Sequence, residues 1–209
     1  MILNKLEFSF INSRMRAYFQ DKFEFKEIRR LSTLPSGKVV LEIGCGNGIG
    51  ARLINEYFSP SKIYAIDLDK RMVDLAKRHN LYDSIIFELG DASRLRFEDG
   101  QFDAVFDFGV LHHIPNWEDC IKELIRVLKI GGELIVEDFS LETFETAIGR
   151  ILRQLTSHPY ERMYRRMELI DCLKCSGFEI MKEKILHPLH LIKYFIIIAK
   201  KLDEPNLKI

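Results

Sequence analysis

Val39-Val40-Leu41-Glu42-Ile43-Gly44-Cys45-Gly46-Asn47-Gly48 joins an apolar, β-branched run to an acid and then to a turn with glycine at alternate positions. Residues 49–58 follow with the apolar spacing of an amphipathic helix. A buried strand that delivers a glycine turn onto a helix start is a nucleotide-binding device. The glycines admit a ligand that a Cβ would push away, and the helix start offers unpaired N–H groups. The glycines fall at 44, 46, 48 and 50, so the Gly-x-Gly-x-x-Gly dinucleotide spacing fails at Ile49. No Lys-Ser/Thr pair closes the loop, which excludes a P-loop. The turn therefore suits a nucleoside better than a pyrophosphate.

Two more strand ends point the same way. Lys62-Ile63-Tyr64-Ala65-Ile66-Asp67 is apolar and ends in an acid nineteen residues past Gly48, near the spacing of about 20 at which an acid holds a ribose diol. A carboxylate can accept from both ribose hydroxyls, and Asp69 is the better cap for a helix starting near Lys70. Residues 85–89 then run into Gly90-Asp91-Ala92, which sets an acid where an adenine amino group could donate to it.

With these motifs in order, the chain resembles the class I S-adenosylmethionine-dependent methyltransferases, within the small-molecule branch that includes the ubiquinone/menaquinone methyltransferases. The resemblance rests on residues 40–48, on Ala65-Ile66-Asp67 and Gly90-Asp91-Ala92, on Phe102-Asp103-Ala104-Val105 and Val110-Leu111-His112-His113-Ile114, and on residues 123–132. Together these span roughly residues 38 to 138 in the family's order. The departure is Ile130, where the family usually has proline before two glycines.

The resemblance implies an α/β fold, a single doubly wound, mostly parallel seven-stranded sheet with an antiparallel last strand, Rossmann-like. It implies S-adenosylmethionine as cofactor and methyl transfer to a small-molecule acceptor by in-line displacement. Carried over residue by residue, Gly44 and Gly46 would lie against the ribose and methionine portion and Glu42 would orient the methionine amino group. Asp67 would take the ribose hydroxyls, Asp91 the adenine amino group and the Ala92 N–H the ring. The Phe108-Gly109 backbone would meet the methionine end. If the acceptor must lose a proton, His112 or His113 is the expected catalytic base, since both follow the fourth strand at the reacting edge.

The remaining sequence bounds these expectations. The chain has 209 residues, 47% of them hydrophobic, enough for one full core. The expected division is an N-terminal helical lid or extension over residues 1–34 and a methyltransferase domain over 35–209, with a substrate-side insertion at about 139–165. Lys plus Arg and Asp plus Glu are both 31, so net charge gives no reason to favour nucleic acid or an anionic membrane. Arg162, Arg165 and Arg166 read as a solvated helix face. The N-terminus carries charge too early for a secretory core, and residues 189–199 are too short to span a bilayer; the expected location is cytoplasmic. Cys45 and Cys120 read as structural. Cys172 and Cys175 form one Cys-x-x-Cys with no partner pair, so they too read as structural, and no metal site is expected.

Strands at 38–43, 62–67, 85–89, 102–108 and 132–138 alternate with helical patterns, which implies a parallel sheet covered on both faces. The helix at 117–128 has Asn116 as its expected cap and Asp119 at the capping-box position. Helical spacing of Ala147, Ile148, Ile151, Leu152 and Leu155 places a helix in the insertion. After a helix near 167–175, strands at 178–185 and about 191–200 are joined briefly, which implies an antiparallel pair. In the N-terminal segment, Arg14, Arg16, Tyr18 and Phe19 are the residues expected to reach ligand as a lid.

Absent motifs trim the acceptor list. The fourth strand ends in Asp107-Phe108-Gly109-Val110, without the Asn/Asp-Pro-Pro-aromatic motif of enzymes acting on DNA-base amines. The paired glutamates of protein-arginine methyltransferases are missing as well. The expected acceptor is a small organic molecule, apolar and aromatic or isoprenoid. The rival readings are a non-catalytic protein binding S-adenosylmethionine or S-adenosylhomocysteine, and an NAD-dependent oxidoreductase that would share the turn and Asp67 but lacks its third glycine.

Overall fold

The computed structural model describes residues 18, 20–156, 158–187 and 193–203. The chain enters through a π-helical turn, Gln20–Phe25, that continues into α1 (Lys26–Leu31). Then follow β1 (Val39–Ile43), α2 (Ile49–Phe58), β2 (Lys62–Asp67), α3 (Lys70–His79), β3 (Ile85–Leu89) and β4 (Phe102–Phe108). A 3-10 turn (Leu111–His113) leads to α4 (Trp117–Val127) and β5 (Leu128–Asp138). The insertion forms α5 (Leu141–Glu145) and α6 (Ala147–Leu155), and α7 (Arg166–Cys175), β6 (Phe178–Leu186) and β7 (Tyr194–Lys201) complete the domain.

The seven strands lie in the order β3-β2-β1-β4-β5-β7-β6. All pairs from β3 to β5 are parallel, and β7 pairs antiparallel with both β5 and β6. The order reverses between β1 and β4, which is the switch point where strand carboxyl ends of an open sheet leave a crevice. Alternate residues of each central strand feed opposite faces. Leu41, Ile43, Val105 and Leu134 pack with α4 and α7 on one side, while Val40, Ala104, Phe106 and Ile135 pack with α1, α2 and α3 on the other. Both layers are buried, which is why the central strands are apolar almost throughout.

Local detail follows the sequence with two corrections. Asp69 caps α3, its carboxylate accepting from the Arg71 N–H at 2.9 Å. Asn116 stands at the start of α4 but its side chain caps no backbone N–H, and Asp119 pairs with Lys122 at 2.8 Å instead of closing a capping box. Arg165 and Arg166 are not simply solvated: Arg165 pairs with Glu145 at 2.5 Å and Arg166 with Glu183. Ile130 is exposed in the stretch of β5 where the register with β4 shifts, a local turn of the strand. That turn is shaped by Gly131 at φ 75° and by Gly132, where a Cβ would lie 2.9 Å from the Lys129 carbonyl oxygen. Among the described residues no helix is long and apolar enough to cross a membrane.

Candidate active site

The crevice at the switch point is a cavity of about 590 Å³. Glu42, Gly44, Gly46, Asp67, Asp91, Ala92, Phe108, Gly109, His112 and His113 all line it. The first eight come from the tips of β1 to β4 and their turns; the histidines come from the 3-10 turn beyond β4. Of the lid residues, Tyr18 is exposed, and Arg14, Arg16 and Phe19 lie outside the described residues. Gln20 is buried and lines the cavity, so it is the start of the π-helical turn that reaches the crevice. Phe25 anchors that turn, its ring 4.8 Å from Phe108 and 5.7 Å from Tyr57, and the Tyr57 hydroxyl donates to Asp21 at 2.8 Å.

The glycine turn and the acids form one unit. Gly44, Gly46 and Gly48 have φ of 61°, 53° and 86°, a left-handed course that other residues resist. Asp67 holds the turn to β2: its carboxylate accepts from the Gly46 and Asp69 N–H groups, each at 2.8 Å. Gly50 is required by its neighbour, since a Cβ there would lie 1.8 Å from Glu42 Oε1. Glu42 is buried and its Oε2 has no hydrogen-bond partner. Burial, and then the nearby Asp67 charge, push its carboxyl well above the usual range, against one N–H from Ala51. Asp67 is raised by burial too, with its backbone N–H bonds opposing. Two desolvated carboxyls side by side are costly unless a cation joins them. Asp91 is exposed and accepts from the Ser93 N–H at 2.9 Å. The Gly109 N–H is spent on the Glu137 carbonyl at 2.7 Å, so this residue offers the cavity its carbonyl only.

The opposite wall is built differently. Phe139, Phe144, Leu152 and Leu155 from the insertion face Ile114 across an apolar space. His112 is buried here, its Nδ1 bonded to Asp138 and its N–H donating to the same carboxylate at 3.0 Å. A carboxylate only accepts, so Nδ1 carries the proton and Nε2 the lone pair. Asp138 also accepts from the Tyr164 hydroxyl at 2.6 Å and the Phe139 N–H at 2.7 Å. His158 completes the wall, its ring 5.0 Å from His112 and 4.4 Å from His113. Burial lowers His113 well below the usual range and takes His158 to about 3.

Asp138, Tyr164 and His158 were not among the residues singled out from the sequence. Asp138 is the acid at the tip of β5, and the same strand-end rule that selects Asp67 would select it. His158 has no such signal, because only the folded insertion brings it back to residue 112.

Residues 41–136 match the family described as methyltransferase domain. Phthiotriol/phenolphthiotriol dimycocerosates methyltransferase 1 of Mycobacterium ulcerans is 36% identical over 126 residues, covering 58% of this chain and 46% of its own length. The fatty-acid O-methyltransferase of Mycolicibacterium smegmatis is 32% identical over 125 residues, with the same two shares. The chain thus spans about half the length of these curated relatives. The crystal structure of an S-adenosylmethionine dependent methyltransferase from Mesorhizobium loti superposes with a TM-score of 0.71 at 19% identity, covering 85% of this chain and 97% of that one, a likeness of fold.

Proposed function

We propose that this chain, a class I S-adenosylmethionine-dependent methyltransferase by its sheet and its 41–136 domain, methylates an oxygen of a lipophilic small molecule. The observation that carries the reading is the pairing, in one cavity, of an unpartnered buried carboxylate at Glu42 with an apolar chamber holding the Asp138–His112 pair. When bound, the cofactor supplies an electrophilic methyl on a sulfonium. Glu42 and Asp67 fit that cation: the free Oε2 can accept an ammonium proton, and the Asp67 oxygens have lone pairs left for ribose hydroxyls. Ionising Glu42 beside a cation recovers the desolvation cost that the unliganded site carries.

The acceptor wall does three things. Phe139, Phe144, Leu152 and Leu155 bind an apolar body and exclude water. Asp138 fixes the His112 tautomer, and His112 Nε2 takes the proton of a hydroxyl or carboxylic acid as its oxygen attacks. The neutral His113 ring, 4.0 Å from His112, keeps a second positive charge away from that step. The names of the curated relatives, a fatty-acid O-methyltransferase and a phthiotriol/phenolphthiotriol dimycocerosates methyltransferase, agree with an apolar acceptor bearing oxygen. The π-helical turn Gln20–Phe25 covers the cofactor side of the crevice, with Gln20 as its inner contact.

The test is binding followed by turnover. S-adenosylmethionine and S-adenosylhomocysteine should stabilise the protein in a thermal shift assay, and NAD should not. Mass spectrometry over a panel of fatty acids, long-chain alcohols and lipophilic phenols should then show a methylated product. Stabilisation with no product from any oxygen acceptor, alongside product from amine acceptors, would refute oxygen as the target atom.

A further inference from the structure

Three imidazoles from segments far apart in sequence converge on the inner wall of the cavity. His112 and His113 come from the 3-10 turn after β4, and His158 from beyond the end of α6. One ring nitrogen from each lies within 4.8 Å of the others. Packing alone does not account for this cluster. The Nδ1 of His113 is buried with no hydrogen-bond partner, although buried polar atoms are as a rule paired. His112 donates its Nδ1 proton to Asp138, the carboxylate–histidine arrangement that orients metal-binding imidazoles. Asp138 is itself held by the Tyr164 hydroxyl and the Phe139 N–H, so the ring it orients is fixed in place.

We propose that His112, His113 and His158 form a three-imidazole site for a borderline divalent transition metal such as zinc. Three nitrogen donors suit zinc, cobalt or nickel, whereas magnesium and calcium ask for oxygen. Tetrahedral zinc with bonds of about 2.0–2.1 Å needs ligand nitrogens roughly 3.4 Å apart, so the rings must close by no more than about 1.4 Å. His158 lies in the loop between α6 and α7, outside regular secondary structure. With three protein ligands, and with all three histidines lining the cavity, a fourth position would be left for an exchangeable ligand. The consequence for turnover rests on the methyl-transfer reading above. A metal on His112 Nε2 occupies the lone pair that receives the acceptor proton, so the metal-loaded protein binds S-adenosylhomocysteine but does not methylate an oxygen.

Chelator-stripped protein carrying Cys172→Ser and Cys175→Ser, which removes the thiols of α7 as competitors, is titrated with zinc by calorimetry and with cobalt by visible absorption. The expected result is one equivalent of zinc and a tetrahedral cobalt spectrum. Affinity should fall at least about tenfold in His158→Gln and about 10–100-fold in Asp138→Asn. Absence of zinc binding overturns the site. So does equal affinity in a His113→Gln/His158→Gln double variant that still binds S-adenosylhomocysteine and is therefore folded. If the double variant does not bind it, His158→Gln alone decides by the same criterion. Failure of the parent protein to bind S-adenosylhomocysteine would remove the methyl-transfer reading and leave the zinc titration as an independent result.

Discussion

The two walls of the crevice differ in where their residues come from and in what they cost. The cofactor wall is made of strand tips. Glu42, Asp67 and the glycine turn are fixed by hydrogen-bonded strands on both sides, and their positions follow from sheet register. The acceptor wall comes from a 3-10 turn, the tip of β5 and a helical insertion, brought together only by tertiary packing. The first wall holds buried acids that lack a cation, whereas the buried acid of the second, Asp138, is hydrogen-bonded to His112, Tyr164 and Phe139 among apolar side chains. In the proposed function, the cofactor's cation relieves the cost of burying Glu42 and Asp67, while acceptor choice is a matter of shape and apolar area.

That contrast predicts separable losses. His112→Gln should lower kcat by about 10²–10⁴-fold, the usual range for removing a general base, with S-adenosylhomocysteine affinity unchanged in calorimetry. A matching fall in cofactor affinity would erase the division between the walls. Asp67→Ala should do the converse, weakening cofactor binding at least about 100-fold through loss of two charge-assisted hydrogen bonds. Near-native affinity in that variant would sink the assigned role. Neither substitution should move the other wall's parameter.

Glu42→Gln sharpens the comparison through pH. The folded carboxyl of Glu42 lies above its unfolded value, so between the two the folded state holds the extra proton and stability falls as pH rises. Thermal unfolding of the unliganded protein should therefore drop from pH 5 to pH 8 less steeply in Glu42→Gln than in the wild type. The same variant should bind S-adenosylmethionine less well at pH 8. An unchanged pH slope would mean that burial does not hold the Glu42 proton in the folded state. The smallest effect belongs to the acceptor wall. Leu155→Ala should raise KM for a long-chain acceptor by about three- to tenfold, from roughly 0.8 kcal/mol per lost methylene contact, and leave KM for a short one alone. Equal effects on both would place the chain elsewhere.

The asymmetry also explains what could be read from the sequence. Strand-tip residues announce themselves, because a buried parallel strand is a short apolar run and its last residue must turn. Glu42 and Asp67 stand out on that basis and Asp91 follows just past a strand end, whereas His112 comes from the family resemblance. Asp138 ends β5 at the same margin, but no glycine turn follows it to mark a ligand contact. His158 was not legible at all: a single histidine in an irregular loop has no period, and only the packing of α5 on α6 returns it to the site. Gly149 fixes that packing, since a Cβ there would sit 2.0 Å from the Thr143 carbonyl oxygen. The amphipathic spacing found α6, whose Leu152 and Leu155 line the cavity while Ile151 is 61% exposed.

The placement of β7 between β5 and β6 has an outcome for how the protein is made. On the ribosome, β6 leaves the tunnel before the strand that joins it to the rest, and until then both it and β5 present bare edges. Tyr194–Lys201, with Ile196, Ile197 and Ala199 fully covered, must wedge between them after the other six strands have been synthesised. The nascent polypeptide therefore passes through a stage with two open β margins, and that interval, not the cofactor cleft, is where chaperone holding would be needed.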